Sequence, residues 1–296
     1  MKHTKIWKGV DFISVIGIVF YIQKKEASSI AKKVIEHLQK RNIIYYIEEN
    51  SAEILNIKEK TADYKKLRTE ADYIVIIGGD GTFLHTAHYF IGTKIPLLGI
   101  NIGQLGFLTE IETNELEEAL DNVIKGNYEL EKRLIIKAEI NSKGEIVYQN
   151  YALNDFVIHR GAHARLVAIE LYINEEIVHS YRADGIIVST PTGSTAYSLS
   201  AGGPIVNPQI RAIIVTPICP HSLFITPLII SDKEKVKIKI SGNNNLSFTA
   251  DGRAEYTVGS EDEILIEAAE KELFFIKLPN RTFYSILHKK MNIGLM

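Results

Sequence analysis

The residues Gly78-Gly79-Asp80-Gly81-Thr82 follow an apolar run at 73–77 and lead into Phe83, Leu84 and Ala87. A strand, a glycine turn and then a helix make a place for phosphate. Glycine removes the side chains that would block a close approach, and the helix offers free N–H groups and the positive end of its dipole. Asp80 is the unexpected member, because a carboxylate repels phosphate unless a metal or a proton transfer employs it. The plainer alternative is a tight turn in which Asp80 only caps the helix; the flanking glycine pair weighs against it. The chain has no G-x-x-x-x-G-K-[ST] loop and no H-R-D signature. The dinucleotide fingerprint also fails, since Leu84 stands where its third glycine should be.

Three more segments carry chemistry. Leu98-Gly99-Ile100-Asn101-Ile102-Gly103-Gln104-Leu105-Gly106-Phe107-Leu108 is a glycine-spaced loop after a strand, open enough to admit a flat ligand beside Phe107. Leu153-Asn154-Asp155 places an amide next to a carboxylate, a pair suited to a vicinal diol or an adenine edge. Arg182-Ala183-Asp184-Gly185 through Ser189-Thr190-Pro191-Thr192-Gly193-Ser194-Thr195-Ala196-Tyr197-Ser198-Leu199-Ser200-Ala201-Gly202-Gly203-Pro204 supplies hydroxyls for hydrogen bonding and Tyr197 for stacking.

Other residues read more plainly. His159 and His163 are four apart, but Gly161 between them argues for a loop and against a metal pair. Cys219 reads as a small buried filler with no basic neighbour in sequence, and His221 as a hydrogen-bonded turn residue. Lys233, Lys235, Lys237 and Lys239 alternate with Val236, Ile238 and Ile240, the pattern of a strand with one solvated face.

The elements that must position these groups follow from periodicity. At 296 residues and 46% hydrophobic content, the chain is long enough for two domains with real cores. With 34 basic against 36 acidic residues and a net charge of −2, no global field favours nucleic acid or a membrane surface. A single cysteine excludes an intramolecular disulfide framework and multi-cysteine zinc sites, which fits a reducing, cytoplasmic setting. Lys2, Lys5 and Lys8 before the apolar run 12–22 imitate a signal peptide. No small-residue cleavage site follows, Asp11 and Gly17 interrupt the approach, and the run is short of the roughly 20 residues a bilayer needs.

A buried strand at 15–21 explains that run better. A helix at 27–40 follows, with Ile30, Val34, Ile35 and Leu38 on one face, then strands at 43–47, 73–77 and 97–100. Asn114 with Glu117 is placed to cap a helix running on to Lys125. The alternation predicts an α/β domain with a parallel sheet over residues 1–133. Beyond it, short alternating runs at 134–140, 146–151, 166–173 and 236–240 predict an all-β, sandwich-like domain over 134–277. One helix interrupts it from near Thr195 to Gly202-Gly203-Pro204. Residues 278–296 form a C-terminal segment expected to pack back on the first domain.

In order and spacing, Gly78 to Thr82, Asn101 to Leu108, Asn154-Asp155 and Asp184 to Pro204 resemble the bacterial NAD kinase (ATP-NAD kinase) family, from about Ile16 to the region of Tyr284. The Gly-Gly-Asp-Gly loop alone is shared with diacylglycerol, sphingosine and phosphofructokinase relatives, and the block from Asp184 to Pro204 narrows the likeness. The resemblance implies transfer of the γ-phosphoryl group of ATP to the adenosine ribose 2′-hydroxyl of NAD, with Asp80 as the proton acceptor. It implies Mg²⁺ bound through the nucleotide. Gly79, Gly81 and Thr82 would line the phosphate path, with His85 and Phe107 near the ligand. Asn154 and Asp155 would hold the adenosine, walled by Thr192, Thr195, Ala196, Tyr197 and Ser200.

Arg182 and Asp184 would bind the dinucleotide further along, Asp184 serving a neighbouring subunit in a homodimer or homotetramer. Arg165, Cys219 and Arg253 align with further contact positions. Partners would be NAD and ATP, with neither nucleic acid nor membrane. Two positions depart from the family pattern: Thr226 where arginine is frequent, and Arg253 where glutamine is common. A lipid or sphingoid-base kinase on the same scaffold would need an apolar channel, which the hydroxyl-rich 192–200 stretch does not supply. A non-catalytic dinucleotide sensor is opposed by the intact Asp80.

Overall fold

The computed structural model describes residues 15–21, 25–109, 111–160, 166–222, 224–242, 246–279 and 281–291. The chain divides into two compact units, residues 1–132 with 273–296, and residues 133–272. Arg165 and His163 lie outside the described residues, as do the lysines at the start of the chain.

The first unit alternates β1 (Val15–Phe20), α1 (Lys25–Lys40), β2 (Ile44–Glu48), α2 (Glu49–Ile54), β3 (Thr61–Ala62), α3 (Tyr64–Glu70), β4 (Tyr73–Gly78), α4 (Asp80–Phe90), β5 (Leu97–Asn101), α5 (Leu116–Ile124) and β6 (Glu129–Arg133). The strands β1 to β5 pair in parallel, in the order β3-β2-β1-β4-β5. Every residue of β4 and β5 is buried, the mark of a sheet covered on both faces. From α1, Ile30, Val34, Ile35 and Leu38 enter the same apolar cluster as Ile16, Ile18 and Val75 of the sheet. The expected helix face is therefore the buried one.

Local capping accounts for the polar stretch between β2 and β4. The Glu48 carboxylate accepts from the N–H groups of Asn50 and Ser51 and starts α2. Asp63 accepts from the Lys66 N–H and starts α3. The expected Asn114/Glu117 cap is not the one used. Glu112 and Glu115 form a reciprocal capping box around a 3₁₀ turn at Thr113–Glu115, two residues earlier with the same spacing of three.

After the second unit the chain returns to this sheet. The strand Leu273–Lys277 pairs parallel with β5 through Phe275 and Leu97. Residues 273–277, assigned from sequence to the β domain, thus belong to the first unit. The run Leu-Phe-Phe-Ile-Lys is nearly continuous in apolar residues, as a strand buried between neighbours requires. The C-terminal helix Phe283–Met291 also belongs to this unit, tied by Arg281 to Glu115 and by Lys289 to Glu112.

The second unit is antiparallel. It contains β7 (Ile136–Ser142), β8 (Glu145–Ala152), β9 (Asp155–Arg160), β10 (Val167–Ile173), β11 (Glu176–Ala183), β12 (Gly185–Ser189), the short α6 (Tyr197–Ser200), β13 (Ala212–Ile218), β14 (Leu228–Ser231), β15 (Val236–Ser241), β16 (Leu246–Ala250), β17 (Arg253–Val258) and β18 (Asp262–Ala268). One six-stranded sheet runs β11-β10-β15-β18-β7-β8 and the other β14-β13-β12-β9-β16-β17. Alternating residues of both form one core, among them Ile136, Ala138, Ile140, Ile169 and Ile238 from the first and Phe156, Ile186 and Phe248 from the second.

Within that core, Phe156 and Phe248 stack at 5.3 Å between ring centroids. On the outer face, Lys235, Lys237 and Lys239 pair with Glu267, Glu175 and Glu263, so the solvated lysine face expected from sequence carries ion pairs. The expected helix near Thr195 is a 3₁₀ turn, Gly193–Thr195, followed by the single turn of α6.

Candidate active site

The glycine-flanked loop 78–82 is built at the carboxyl end of β4, where the chain turns into α4. Gly79 is the N-cap of α4, and the first helical hydrogen bond runs from the Phe83 N–H to the Gly79 carbonyl at 3.0 Å. The amides at the start of the helix are therefore left for other acceptors. A Cβ on Gly78 would lie 2.6 Å from the Thr82 Cβ, so packing alone excludes a side chain there. A Cβ on Gly79 or Gly81 would meet nothing within 4 Å. Packing therefore does not explain those two glycines.

Asp80 is the first residue of α4, and its carboxylate is held by the loop after β5. Oδ2 accepts from the Phe107 N–H at 2.8 Å. Oδ1 accepts from the N–H groups of Leu108 and Thr109 and from the Thr109 hydroxyl, each at 3.1 Å. The loop is braced in turn by Asn101, whose amide donates to the Gln104 carbonyl and the Thr109 hydroxyl, both at 2.8 Å. Lys290 of the C-terminal helix lies 3.7 Å from Asp80 Oδ2.

In the second unit, the turn Leu153-Asn154-Asp155 is fixed from two sides. Asp251 and Gly252 form a two-residue hairpin turn between β16 and β17, with φ of 49° and 77°. The Asp251 carboxylate accepts from the N–H groups of Leu153 at 2.9 Å, Asn154 at 2.7 Å and Asp155 at 3.1 Å. From the other side, the Thr190 hydroxyl donates to the Leu153 carbonyl at 2.5 Å, and the Thr190 N–H donates to the Asn154 carbonyl at 2.8 Å. A Cβ on Gly193 would fall 2.1 Å from the Asn154 carbonyl oxygen, so only glycine lets the 190–195 loop come this close.

Two polar groups remain poised there. Asn154 Oδ1 is buried without a hydrogen-bond partner among the described residues. Asp155 is buried, and burial together with the nearby Asp251 charge pushes its carboxyl up to about 7. Burial also pushes Asp251 up, against the pull of its three backbone donors.

The chain matches two domain families, the ATP-NAD kinase N-terminal domain over residues 16–128 and the ATP-NAD kinase C-terminal domain over residues 153–278. An NAD kinase of Caldanaerobacter subterraneus subsp. tengcongensis is 37% identical over 277 residues, 93% of this chain and 98% of that protein. The chain belongs to the NAD kinase family.

An NAD kinase of Carboxydothermus hydrogenoformans is 41% identical over 240 residues, 81% of this chain and 83% of that protein. Among solved structures, yeast NADH kinase complexed with NADH superposes with a TM-score of 0.89 at 25% identity, covering 98% of this chain and 90% of that one. An NAD kinase from Archaeoglobus fulgidus in complex with ATP gives 0.75 at 26% identity, covering 95% of this chain and 100% of that one.

Within this NAD kinase chain, Gly79, Asp80, Gly81, Thr82 and Phe107 come together in the first unit. His85 is exposed on α4 and stands edge-to-face with Tyr89, 5.5 Å between ring centroids. In the second unit Asn154, Asp155 and Thr192 are brought together with the 190–195 loop, while Tyr197 and Ser200 are exposed and Thr195 and Ala196 are half-buried. The Thr192 hydroxyl accepts from the buried Arg133 guanidinium at 3.3 Å.

Arg182 is exposed, and its carbonyl accepts from the His221 N–H at 2.8 Å, a backbone bond across the fold. Asp184 forms an ion pair with Arg160, Nε to Oδ1 at 2.6 Å. Arg253 is exposed, following the Asp251-Gly252 turn. Cys219 corrects the sequence reading: it is exposed, because the chain leaves β13 there with a φ of 47°, carrying the thiol out of the core.

Sequence reasoning missed Asp251, Thr109 and Lys290 as contributors, and it read the Thr190 hydroxyl as a ligand contact where the structure turns it to the Leu153 carbonyl. For Asp251 a signal existed, since Asp-Gly between two alternating runs marks a two-residue hairpin turn; its clamp on a segment 97 residues away carries none.

Proposed function

We infer that the protein is an ATP-dependent NAD kinase, a phosphotransferase that converts NAD to NADP. The observation that carries the site reading is the Asp80 carboxylate, fixed by three backbone N–H groups and a hydroxyl at the glycine-flanked start of a helix. Asp80 orients the ribose 2′-hydroxyl and accepts its proton as the oxygen attacks the γ-phosphorus. Positioning and charge neutralisation supply most of the rate in such a transfer.

We assign the other residues roles on the same substrates. Gly79 and Gly81 admit the phosphates, and the Asn154 amide oxygen and Asp155 carboxyl hold the adenosine end of NAD. Thr192, Thr195, Ala196, Tyr197 and Ser200 line the same ligand, and Arg182, Asp184, Cys219 and Arg253 lie further along it. Among the described residues no group of three His, Cys, Asp or Glu side chains could hold a metal ion. A divalent cation such as Mg²⁺ is expected to enter with ATP, as part of the substrate. Among the described residues no helix is long and apolar enough to cross a membrane. We further propose a homo-oligomer working in the cytoplasm, whose subunit number light scattering reads directly.

The test is formation of NADP from NAD, ATP and Mg²⁺, followed with an NADP-specific dehydrogenase, beside an Asp80→Asn control. NADP formation that falls about 10²- to 10⁴-fold in the control supports the assignment. A control as active as the wild type removes Asp80 from the chemistry.

A further inference from the structure

The phosphate loop has no lysine or arginine of its own. Residues 78–90 contain neither, and 98–109 contain no charged residue at all. Yet a phosphoryl group in transfer spreads negative charge over its oxygens, and enzymes of this kind place a positive group against it. The C-terminal helix brings one.

Phe283 and Lys290 are seven residues apart, two turns along the same helix face. Both reach Phe107: the two phenyl rings lie 6.3 Å apart, and the Lys290 ammonium stands 4.7 Å above the Phe107 ring. Ile286, between them, is buried. The helix is thereby seated with its ammonium over the residue whose N–H holds Asp80.

The two oxygens of Asp80 differ. Among the described residues, Oδ1 receives three donors and Oδ2 only the Phe107 N–H. Lys290 Nζ faces Oδ2 at 3.7 Å, within reach of charge attraction but too long for a hydrogen bond. Oδ2 thus keeps an open lone pair beside a cation that is attracted and not locked.

We propose that Lys290 is a catalytic residue of the kinase, the cation of the phosphate loop. The acceptor hydroxyl takes the open lone pair of Asp80 Oδ2, and the ammonium turns to the γ-phosphoryl oxygens of ATP. The acceptor oxygen then bonds to the γ-phosphorus, the bond from that phosphorus to the β,γ-bridging oxygen breaks, and ADP leaves with the electron pair. The hydroxyl proton passes to Asp80, and Lys290 keeps its own. The proposal rests on the NAD kinase reading, and a wild-type protein that makes no NADP would defeat that reading before Lys290 is put to the question.

The experiment compares full-length Lys290→Met, Lys290→Arg and Lys289→Met with the wild type at varied NAD and MgATP, and measures thermal unfolding of each. Lys289 is the neighbour on the same helix that pairs with Glu112. The expected result is a kcat about 10- to 100-fold lower in Lys290→Met with an unchanged KM for NAD. Lys290→Arg should recover much of the loss, Lys289→Met should match the wild type, and all should unfold at the wild-type temperature. A Lys290→Met kcat within about twofold of wild type overturns the proposal. So does an equal loss in Lys289→Met, or an arginine variant no better than the methionine one.

Discussion

The Asp80 carboxylate occupies the space that a side chain at Gly106 would need: a Cβ there would lie 1.8 Å from Asp80 Oδ1 and 2.6 Å from the Thr109 hydroxyl oxygen. Gly106→Ala must therefore expel the carboxylate or distort the turn that grips it. We expect kcat to fall about as far as in Asp80→Asn, with a loss of stability of about 1–3 kcal/mol as the buried donors lose their acceptor. Steady-state kinetics and urea unfolding check both. Wild-type activity in Gly106→Ala would mean that the clamp on Asp80 is dispensable.

Gly79 and Gly81 predict the opposite division between stability and activity. Their Cβ positions meet no protein atom within 4 Å, and the N-cap Gly79 has a φ of −102°, which any residue adopts. Gly79→Ala and Gly81→Ala should unfold within a few degrees of the wild type and still raise the KM for ATP or lower kcat by about tenfold or more. Destabilised but fully active variants would assign these glycines to the fold.

The parts of the molecule legible in the sequence are those whose cause is local. The buried face of α1 follows from Ile30, Val34, Ile35 and Leu38 at helical spacing, and the lysines of β15 follow from alternation. The turn from β4 into α4 is readable because strand, glycines and helix are contiguous. The Asp251 clamp is not, because its three acceptor bonds reach the 153–155 turn from a hairpin far along the chain. Lys290 is hidden for the same reason: a lysine near a helix C-terminus reads as a dipole partner, and only the fold sets it beside Asp80. Cys219 misleads because its burial depends on where β13 ends.

Asp155 gives a prediction whose sign can be worked out. Its carboxyl is raised from an ordinary 3.8 to about 7, first by burial and then by the Asp251 charge. The folded protein therefore holds a proton that the unfolded chain releases, and the stability this contributes is fully present below about pH 4. It is lost as pH rises through about 7, by up to about 4 kcal/mol. Asp155→Asn cannot ionise and lacks this loss. Urea unfolding at pH 5 and pH 8 should show wild-type stability dropping more between the two than that of Asp155→Asn, with the variant more weakened in NAD affinity than in folding. Equal drops in the two proteins would mean that Asp155 is ionised at pH 5 in the free protein, its charge satisfied within the 153–155 turn.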